Sequence, residues 1–417
     1  MNEIPIARPV LGEPEIEAVT QALLSGWVTQ GPAVARFEQD LAALVGSRYA
    51  CAVSSCTSAL HLALLAAGVG PGDVVLTVSH SFIASSNAIR YCQAEPVFVD
   101  IDPATFNMSP ALLAETLARD FEPRDGSLWY RHTARIKTRH SPLTGRCDPV
   151  GRLGAILVVH QVGMPADLGS ILPVAARYAV PVVEDAACAI GSEISLDSGA
   201  TWSRIGAPHG EIACFSFHPR KVITTGDGGM LTTNSAAHDR THRALRHHGM
   251  SSSDLARHAS REVTFEEYPV TGFNYRMTDI QAAVGIRQLA RLPDLIRERR
   301  EIAAAYRDRL QAIAGVEAPE EPCYARSNWQ SYIVKLENPA LQKPLMQRLL
   351  SQGISTRRGV MCAHLEAPYA EGWPSGSLPE SERARDCGVI LPLFPGMSTD
   401  QIRRVAEAVA DALRVLG

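Results

Sequence analysis

The chain has 417 residues, of which 46% are hydrophobic and 20% charged, so it can form two hydrophobic cores and is not expected to be disordered. Its formal net charge of −4 gives no global reason to expect nucleic acid or an anionic membrane as a partner. The nine cysteines form no C-x-x-C pair, which argues against a zinc site and a disulfide framework, and we predict no metal. Neither a signal-peptide pattern nor an apolar stretch of about 18 residues occurs, so we expect a cytoplasmic protein.

The first informative segment is an apolar strand followed by a serine-rich turn. Residues 49–53 are typical of a buried strand, and residues 59–67 are typical of a helix that ends at Gly68. Residues 54–58 between them read Ser-Ser-Cys-Thr-Ser. Hydroxyls and free N–H groups at a helix N-terminus can bind a phosphate, although a serine-rich turn can also be an ordinary helix cap.

Strands and helical segments then alternate as far as about residue 234. The predicted strands are short apolar runs, and they cover residues 74–78, 96–100, 155–160, 181–184, 213–217 and 230–233. Runs of this kind separated by helices predict an α/β fold with a mostly parallel sheet that is covered on both faces. Ligands of such folds bind at the carboxyl ends of the strands.

One long basic stretch interrupts this alternation. Residues 119–152 contain eight Lys or Arg and only four Asp or Glu. One interpretation is a solvated surface excursion. The other is a lid or a subunit contact near an anionic substrate, because a basic segment attracts anions.

Two charged residues follow strands of this sheet. Asp185 follows the strand at 181–184, where its carboxylate can hold a pyridinium nitrogen protonated or can instead cap a helix. Lys221 follows the strand at 213–217 and precedes a glycine-rich loop, where nearby cations or poor solvation would lower its pKa and let it attack a carbonyl. A solvated surface lysine is the alternative. Together the two residues suggest chemistry with pyridoxal phosphate (PLP).

The sequence pattern changes beyond Gly249, where a polar stretch at residues 251–260 is followed by longer helices. We therefore predict a large domain spanning residues 1–250 and a small domain spanning residues 251–417. One helix begins with the capping box of Thr278 and Gln281 and is predicted to end before Pro293. A second helix follows, with one apolar packing face across residues 302–313.

The serine-rich turn, Asp185 and Lys221, taken in chain order, make the sequence resemble the sugar aminotransferase family often named DegT/DnrJ/EryC1/StrS, whose members are fold-type-I PLP enzymes. Further matching stretches lie at residues 25–31 (SGWVTQG), 96–102 (PVFVDID), 184–187 (EDAA) and 272–277 (GFNYRM). The resemblance covers nearly the whole chain. It implies a mostly parallel central sheet sandwiched by helices, with a smaller C-terminal α+β domain. Residues 119–152 look like an insertion, because the family usually passes more directly into the strand at 155–160.

The resemblance also implies roles for single residues. Lys221 resembles the lysine that forms the internal aldimine with PLP, and Asp185 resembles the partner of the pyridine nitrogen. The other residues implied to bind PLP are Cys56, Thr57 and Ser216 at its phosphate, Phe82 at its ring face, and Asn274, which would reach the phosphate from the neighbouring subunit of a homodimer. Thr57 could instead be a simple cap, and Phe82 an ordinary core residue.

Three further positions are assigned to the same site. His160 and Gln161 end a strand and are predicted to line the substrate, although a capped strand end fits them equally well. Cys188 stands three residues after Asp185, where family members commonly carry Gln or His close to the cofactor ring. A thiol is only a weak hydrogen-bond donor, so the chain departs from the family pattern at this cofactor contact.

The function implied by the resemblance is a PLP-dependent aminotransferase that moves an amino group from L-glutamate to a keto-sugar linked to a nucleotide, in amino-sugar or surface-polysaccharide biosynthesis. A free keto-sugar acid of the octulosonate type and a keto-cyclitol are alternative acceptors. A sugar dehydratase that uses PLP or its amino form is another alternative, but those relatives carry a histidine where Lys221 stands. A non-catalytic regulator on the same fold is the alternative from another class.

Overall fold

The computed structural model describes residues 3–197, 199–251 and 265–416, so most of the polar stretch at 251–260 lies outside the described residues. The strands are β1 (Tyr49–Val53), β2 (Asp73–Val78), β3 (Glu95–Val99), β4 (Phe121–Arg124), β5 (Ser127–Tyr130), β6 (Arg152–Val159), β7 (Val182–Asp185), β8 (Glu193–Ile194), β9 (Ser203–Arg204), β10 (Ile212–Ser216), β11 (Gly229–Thr233), β12 (Val316–Glu317), β13 (Ala325–Arg326), β14 (Tyr332–Leu336), β15 (Arg357–Arg358) and β16 (Gly388–Leu391).

The α-helices of the described chain are α1 (Glu13–Ser25), α2 (Pro32–Val45), α3 (Cys56–Ala66), α4 (Ala84–Tyr91), α5 (Pro110–Asp120), α6 (Thr133–Ile136), α7 (Leu168–Arg177), α8 (Ala236–Arg246), α9 (Asp279–Leu310), α10 (Gln342–Ser351), α11 (Pro379–Cys387) and α12 (Thr399–Leu416). Among these helices, none combines the length and the apolar character that crossing a membrane requires.

The largest sheet of the described chain has nine strands, and seven of them follow the order β1-β11-β10-β7-β6-β2-β3. All neighbours from β10 to β3 are parallel, whereas β11 is antiparallel to both β1 and β10. The hairpin of β4 and β5 joins the sheet where Trp129 pairs with Arg152 of β6. The prediction of a mostly parallel sheet is confirmed, and the carboxyl ends of β6, β7 and β10 lie at one edge.

Helices bury both faces of this sheet. Val74 and Leu76 of β2 belong to a core shared with α2, whereas Val75 between them belongs to a core shared with α3 and α4. This alternation follows from the two-residue period of a strand. It explains why the strand sequences are apolar without interruption, which is the pattern from which the α/β fold is predicted.

A second sheet of four strands, in the order β12-β14-β16-β15, is antiparallel throughout. Side chains of α9, α10 and α12 form a separate core with it, around Tyr306 and Tyr332. The short strand β13 pairs with β8, which links the later part of the chain to the earlier part. The domain limits at residues 250 and 251 stay a prediction.

The long helix α9 corrects one prediction. Its capping box is confirmed, because Gln281 N donates to Thr278 Oγ1 (3.2 Å) and Thr278 N donates to Gln281 Oε1 (3.0 Å). The predicted end before Pro293 is wrong, since the helix continues through this residue. Proline removes one backbone hydrogen bond, but Leu292 is buried in the main core and Tyr306 in the second core, so packing on both sides outweighs the break.

The first residue of α9, Asp279, also fixes the start of α2. Its carboxylate accepts hydrogen bonds from the N–H groups of Gly31 (2.7 Å), Ala33 (3.0 Å) and Val34 (3.0 Å). A carboxylate is stabilised there by the free N–H groups and by the helix dipole. The contact joins the end of the matching stretch at residues 25–31 to Asp279, which stands two residues after the matching stretch at 272–277.

Candidate active site

A cavity of about 450 Å³ opens beside the carboxyl ends of β7 and β10. The predicted site residues that line it are Cys56, Thr57, Phe82, His160, Gln161, Asp185, Cys188, Ser216 and Lys221. Gln330, Arg357 and Arg358, from the later part of the chain, line it as well. The structure therefore brings together every predicted site residue except Asn274.

Asp185 is the last residue of β7 and is buried, with 5% of its surface exposed. Its Oδ2 accepts a hydrogen bond from Ser85 Oγ (2.8 Å), and its Oδ1 accepts one from the backbone N–H of Ala187 (3.1 Å). These two donors fix the orientation of the carboxylate at the strand end. A carboxylate held in this way can receive a proton donor from a ligand in the cavity.

Lys221 extends into the same cavity, where its Nζ lies 3.0 Å from Cys188 Sγ. Burial lowers the pKa of Lys221, but Cys188, and to a smaller extent Cys56 and Asp185, raise it by more, so its pKa lies above the ordinary value. This direction is opposite to the lowering that the sequence predicts. The sequence does not reveal that thiols and a carboxylate surround the amine.

The N-terminus of α3 forms another wall of the cavity. Ser55 is the helix cap, and its Oγ accepts a hydrogen bond from Ser58 N (3.1 Å). Among the described residues, no acceptor bonds the backbone N–H groups of Cys56 and Thr57, as is usual for the first turn of a helix. Ser216, at the end of β10, adds a hydroxyl to the same cavity. Such a group of donors can bind a phosphate.

The glycine-rich loop after Lys221 leads back to this helix N-terminus. A Cβ at Gly229, the first residue of β11, would lie 2.5 Å from the carbonyl carbon and oxygen of Ser55 and 2.6 Å from the backbone nitrogen of Cys56. No side chain fits at that distance. Glycine is therefore required here so that β11 can approach the start of α3.

Phe82 is not a core residue, because 64% of its surface is exposed and it lines the cavity. The alternative of an ordinary core phenylalanine is therefore wrong. An exposed ring at the wall of a cavity can stack on a planar ligand, which contributes about 0.5–1.5 kcal/mol beyond area burial.

His160 is fully buried, and both of its ring nitrogens have partners within the protein. Its Nδ1 accepts a hydrogen bond from Ala166 N (3.0 Å), so Nε2 carries the proton and donates to Glu184 Oε2 (3.0 Å). Burial raises the pKa of Glu184, but the hydrogen bond from His160 and further interactions with His209 and Gly210 hold it below its usual range. His160 can therefore contact a ligand only through its ring carbons.

Gln161 is held by its backbone and by its side-chain nitrogen. Its N–H donates to Asn107 Oδ1 (2.8 Å), and its Nε2 donates to the carbonyl oxygen of His80. In the part of the chain that the structure describes, no donor reaches Gln161 Oε1. This oxygen can accept a hydrogen bond from a ligand in the cavity.

Asn274 lies apart from these residues. It is exposed, its backbone pairs with His247, and it does not line the cavity of its own chain. Its predicted contact with a neighbouring subunit stays a prediction.

The sequence does not reveal four of the residues that line or support the cavity. Ser85 stands three residues after Phe82, and its backbone N–H donates to the carbonyl oxygen of Phe82 (3.2 Å), so its closeness to a predicted site residue is a signal that could have found it. Gln330, Arg357 and Arg358 come from the second part of the chain and reach the cavity only through tertiary packing. No local pattern marks them.

Comparison with known proteins identifies the family of this site. A model of the DegT/DnrJ/EryC1/StrS aminotransferase family matches residues 9–410. The chain belongs to this family. The spore coat polysaccharide biosynthesis protein SpsC of Bacillus subtilis (strain 168) is 33% identical over 417 residues, which cover 99% of this chain and 97% of SpsC.

Solved structures of similar proteins agree with this assignment. The aminotransferase TlmJ from Streptoalloteichus hindustanus is 32% identical with a TM-score of 0.82, and the match covers 99% of each chain. DesV of S. venezuelae is 29% identical with a TM-score of 0.80, and the match covers 99% of this chain and 98% of DesV.

Members of the DegT/DnrJ/EryC1/StrS family are PLP-dependent aminotransferases, so this chain is such an enzyme and its cofactor is PLP. This assignment replaces the dehydratase and the non-catalytic regulator as alternatives. The cavity fits the cofactor, because a helix N-terminus with unbonded N–H groups, a buried carboxylate and an amine converge on it. The close approach of Gly229 to that N-terminus is part of the same fit.

The stretch at residues 119–152, which looks like a family insertion, lines no part of the described cavity. It packs instead on the later part of the chain. Arg135 Nε donates to the carbonyl oxygen of Gly372 (3.0 Å), and its guanidinium lies 4.2 Å from the ring centre of Trp373. Arg139 N donates to Glu371 Oε2 (2.8 Å). These contacts favour a structural role over a lid at the substrate.

Proposed function

We propose that this aminotransferase moves the amino group of L-glutamate to a keto-sugar that is linked to a nucleotide diphosphate. The observation that supports it is the convergence of Lys221, Asp185 and the N-terminus of α3 on one cavity, whose wall also carries three arginines that form no ion pair with any described residue. Such a cavity suits two acidic substrates that visit the same cofactor in turn. The similarity to SpsC, a protein of spore coat polysaccharide biosynthesis, supports a sugar as the acceptor.

The roles of the chain's residues follow from their positions. When bound, PLP supplies a carbonyl that takes the amino group and a ring that delocalises an electron pair. The N–H groups of Cys56 and Thr57 and the hydroxyl of Ser216 would hold its phosphate. Asp185 would keep a proton on the ring nitrogen. Lys221 Nζ would remove the proton from the α-carbon of glutamate and later deliver one to the carbon that becomes aminated.

A free keto-sugar acid of the octulosonate type is the second candidate acceptor. Its carboxylate would suit the same arginines, whereas a neutral keto-cyclitol would leave these cations only the carboxylates of the donor as partners. The charge of the cavity wall therefore favours an acidic acceptor over a neutral one.

The proposed function is tested one half-reaction at a time. The holoenzyme is first converted to its amino form with L-glutamate, and the donor is then removed by gel filtration. Keto-sugars are offered singly while the visible absorption of the resting enzyme is followed. We expect a nucleotide-linked keto-sugar to restore this absorption and to leave as the amino-sugar. Restoration by free keto-sugar acids alone would contradict the proposal.

We also propose that the active unit is a homodimer in which Asn274 completes the phosphate site of the neighbouring subunit. Asn274→Ala should then weaken PLP retention, because a donor to the phosphate is lost. A mixture of inactive Lys221→Ala and weakened Asn274→Ala dimers should regain activity after subunit exchange. Random exchange would make about a quarter of all sites intact, because half of the dimers are hybrids with one complete site each.

A mixture of Lys221→Ala and Asp185→Asn is the matched control. These two residues line the same cavity of one chain, so no hybrid dimer has a complete site. If the Asn274 mixture behaves like this control under verified exchange, or the active enzyme sediments as a monomer, the shared site is disproved.

A further inference from the structure

Three arginines line the cavity in addition to the residues that fit the cofactor. Arg220 directly precedes Lys221, and Arg357 and Arg358 form β15 of the second sheet. All three are exposed. Arg220 therefore lies next to the cofactor region, whereas Arg357 and Arg358 belong to the part of the cavity wall that the later part of the chain forms.

These three guanidinium groups have no acidic partner among the residues that the structure describes. Within residues 3–197, 199–251 and 265–416, none of them makes an ion pair or a side-chain hydrogen bond. Other arginines of the chain do have such partners, as Arg90 has Glu95 and Arg152 has Asp73. Some exposed arginines outside the cavity, such as Arg348, also lack an ion pair with any described residue, so the feature that distinguishes these three is that they line one cavity.

The positions of the three arginines are set by the fold. Gln330 Nε2 donates to the backbone oxygen of Arg220 (2.5 Å), which ties this residue to the second part of the chain. Arg357 pairs across the sheet with Ile390, which also lines the cavity. Backbone contacts thus hold Arg220 and β15, which come from distant segments of the chain, beside the same cavity.

Like charges held together in this way repel each other. Partial burial lowers the pKa of Arg220, and the charge of Arg357 lowers it further. The carboxylate of Asp227 also lines the cavity, but one of its oxygens accepts a hydrogen bond from the N–H of Gly228 (2.9 Å). Such an arrangement is stabilised by an anion that enters the cavity, because an anion offsets the repulsion among the guanidinium groups.

We propose that Arg220, Arg357 and Arg358 form a binding site for a doubly charged oxyanion of a substrate. The sources of that oxyanion are the diphosphate of the acceptor and the carboxylates of the amino donor. Arginine matches both, since its planar fork donates two parallel hydrogen bonds to a carboxylate or a phosphate. The inference rests on the proposed function for the identity of these substrates, but the anion site itself can be tested separately.

The test titrates the holoenzyme with inorganic pyrophosphate in a calorimeter. Arg220→Gln, Arg357→Gln and Arg358→Gln are compared with wild type and with Arg348→Gln. Arg348 is a suitable control because it is exposed on α10, does not line the cavity and makes no ion pair with any described residue. Circular dichroism and the thermal midpoint confirm that each variant is folded.

We expect pyrophosphate to bind wild type and Arg348→Gln equally. Arg357→Gln should weaken binding about tenfold to a hundredfold, the range for hydrogen bonds to a charged group. Arg357→Lys keeps the positive charge but loses the two parallel donors of the guanidinium group. Its affinity for pyrophosphate should therefore lie between those of wild type and Arg357→Gln. Equal binding to all variants would overturn the anion site.

Competition identifies the source of the oxyanion. Pyrophosphate that raises the apparent KM for a sugar nucleotide points to the acceptor's diphosphate, and pyrophosphate that raises the KM for L-glutamate points to the donor's carboxylates. Competition with neither substrate overturns the proposal.

The anion site and the proposed function can fail independently. If no nucleotide-linked sugar reacts but pyrophosphate binding still depends on the three arginines, the proposed function fails and the anion site stands. If nucleotide-linked sugars react but pyrophosphate binds equally to wild type and to all three variants, the anion site is disproved and the proposed function stands.

Discussion

Replacement of Lys221 by alanine should abolish amino transfer while leaving the fold intact. The loss should reach about three orders of magnitude or more, because one side chain supplies both the covalent link to the cofactor and the proton transfer at the substrate carbon. The visible absorption of the resting enzyme should disappear with it. Multiple-turnover assays and absorption spectra measure the two effects, and circular dichroism reports the fold.

Lys343→Ala is the control for this variant, since Lys343 is exposed on α10 and does not line the cavity. It should keep wild-type rates and spectra. Repeated turnovers by Lys221→Ala at a rate near wild type would show that Lys221 is a surface lysine without a role in the reaction.

The replacement Asp185→Asn should retain the cofactor but lower the rate by several orders of magnitude. A neutral amide cannot hold a proton on the ring nitrogen, and each ~1.4 kcal/mol added to the barrier costs tenfold in rate. The cofactor content is read from the absorption spectrum, and the rate is measured in each half-reaction separately. Both half-reactions should slow, because the electron sink serves both.

Ser85→Ala separates the charge of Asp185 from its orientation. This change removes the 2.8 Å hydrogen bond to Oδ2 but leaves the carboxylate in place. We expect a loss of only about fivefold to tenfold, as for one net hydrogen bond. If Asp185→Asn stays within a few-fold of wild type, Asp185 merely shapes the turn through Ala187 N.

The sequence predicts the main sheet well because its signal is local. The strand at residues 49–53 is predicted at its observed limits, and the other predicted strands overlap the observed ones, since each is an apolar run between helical segments. Pro293 shows the limit of such reasoning. A proline is a local helix breaker, but the burial of both ends of α9 is a tertiary effect that the local pattern does not contain.

The candidate site is predictable to the extent that it follows motifs. The motifs include Asp185 and Lys221, and both line the cavity. A motif does not show which side chains lie beside a residue in the folded chain. The thiol of Cys188 lies next to Lys221 and raises its pKa, which is opposite to the direction expected from the sequence. Arg357 and Arg358 follow no motif, because a two-residue edge strand becomes part of a cavity only when two sheets pack.

The pairing of Val53 with Gly229 has a consequence for how the enzyme is made. β1 leads into α3 and pairs along its length with β11, and its last residue Val53 also forms a bridge with Arg276; both partners are synthesised much later. A nascent chain therefore cannot complete the phosphate end of the site until residues 229–233 have left the ribosome, and contacts between such distant segments form slowly. PLP can then bind only to a chain whose fold is nearly complete. We expect it to slow unfolding of the mature enzyme more than it speeds folding.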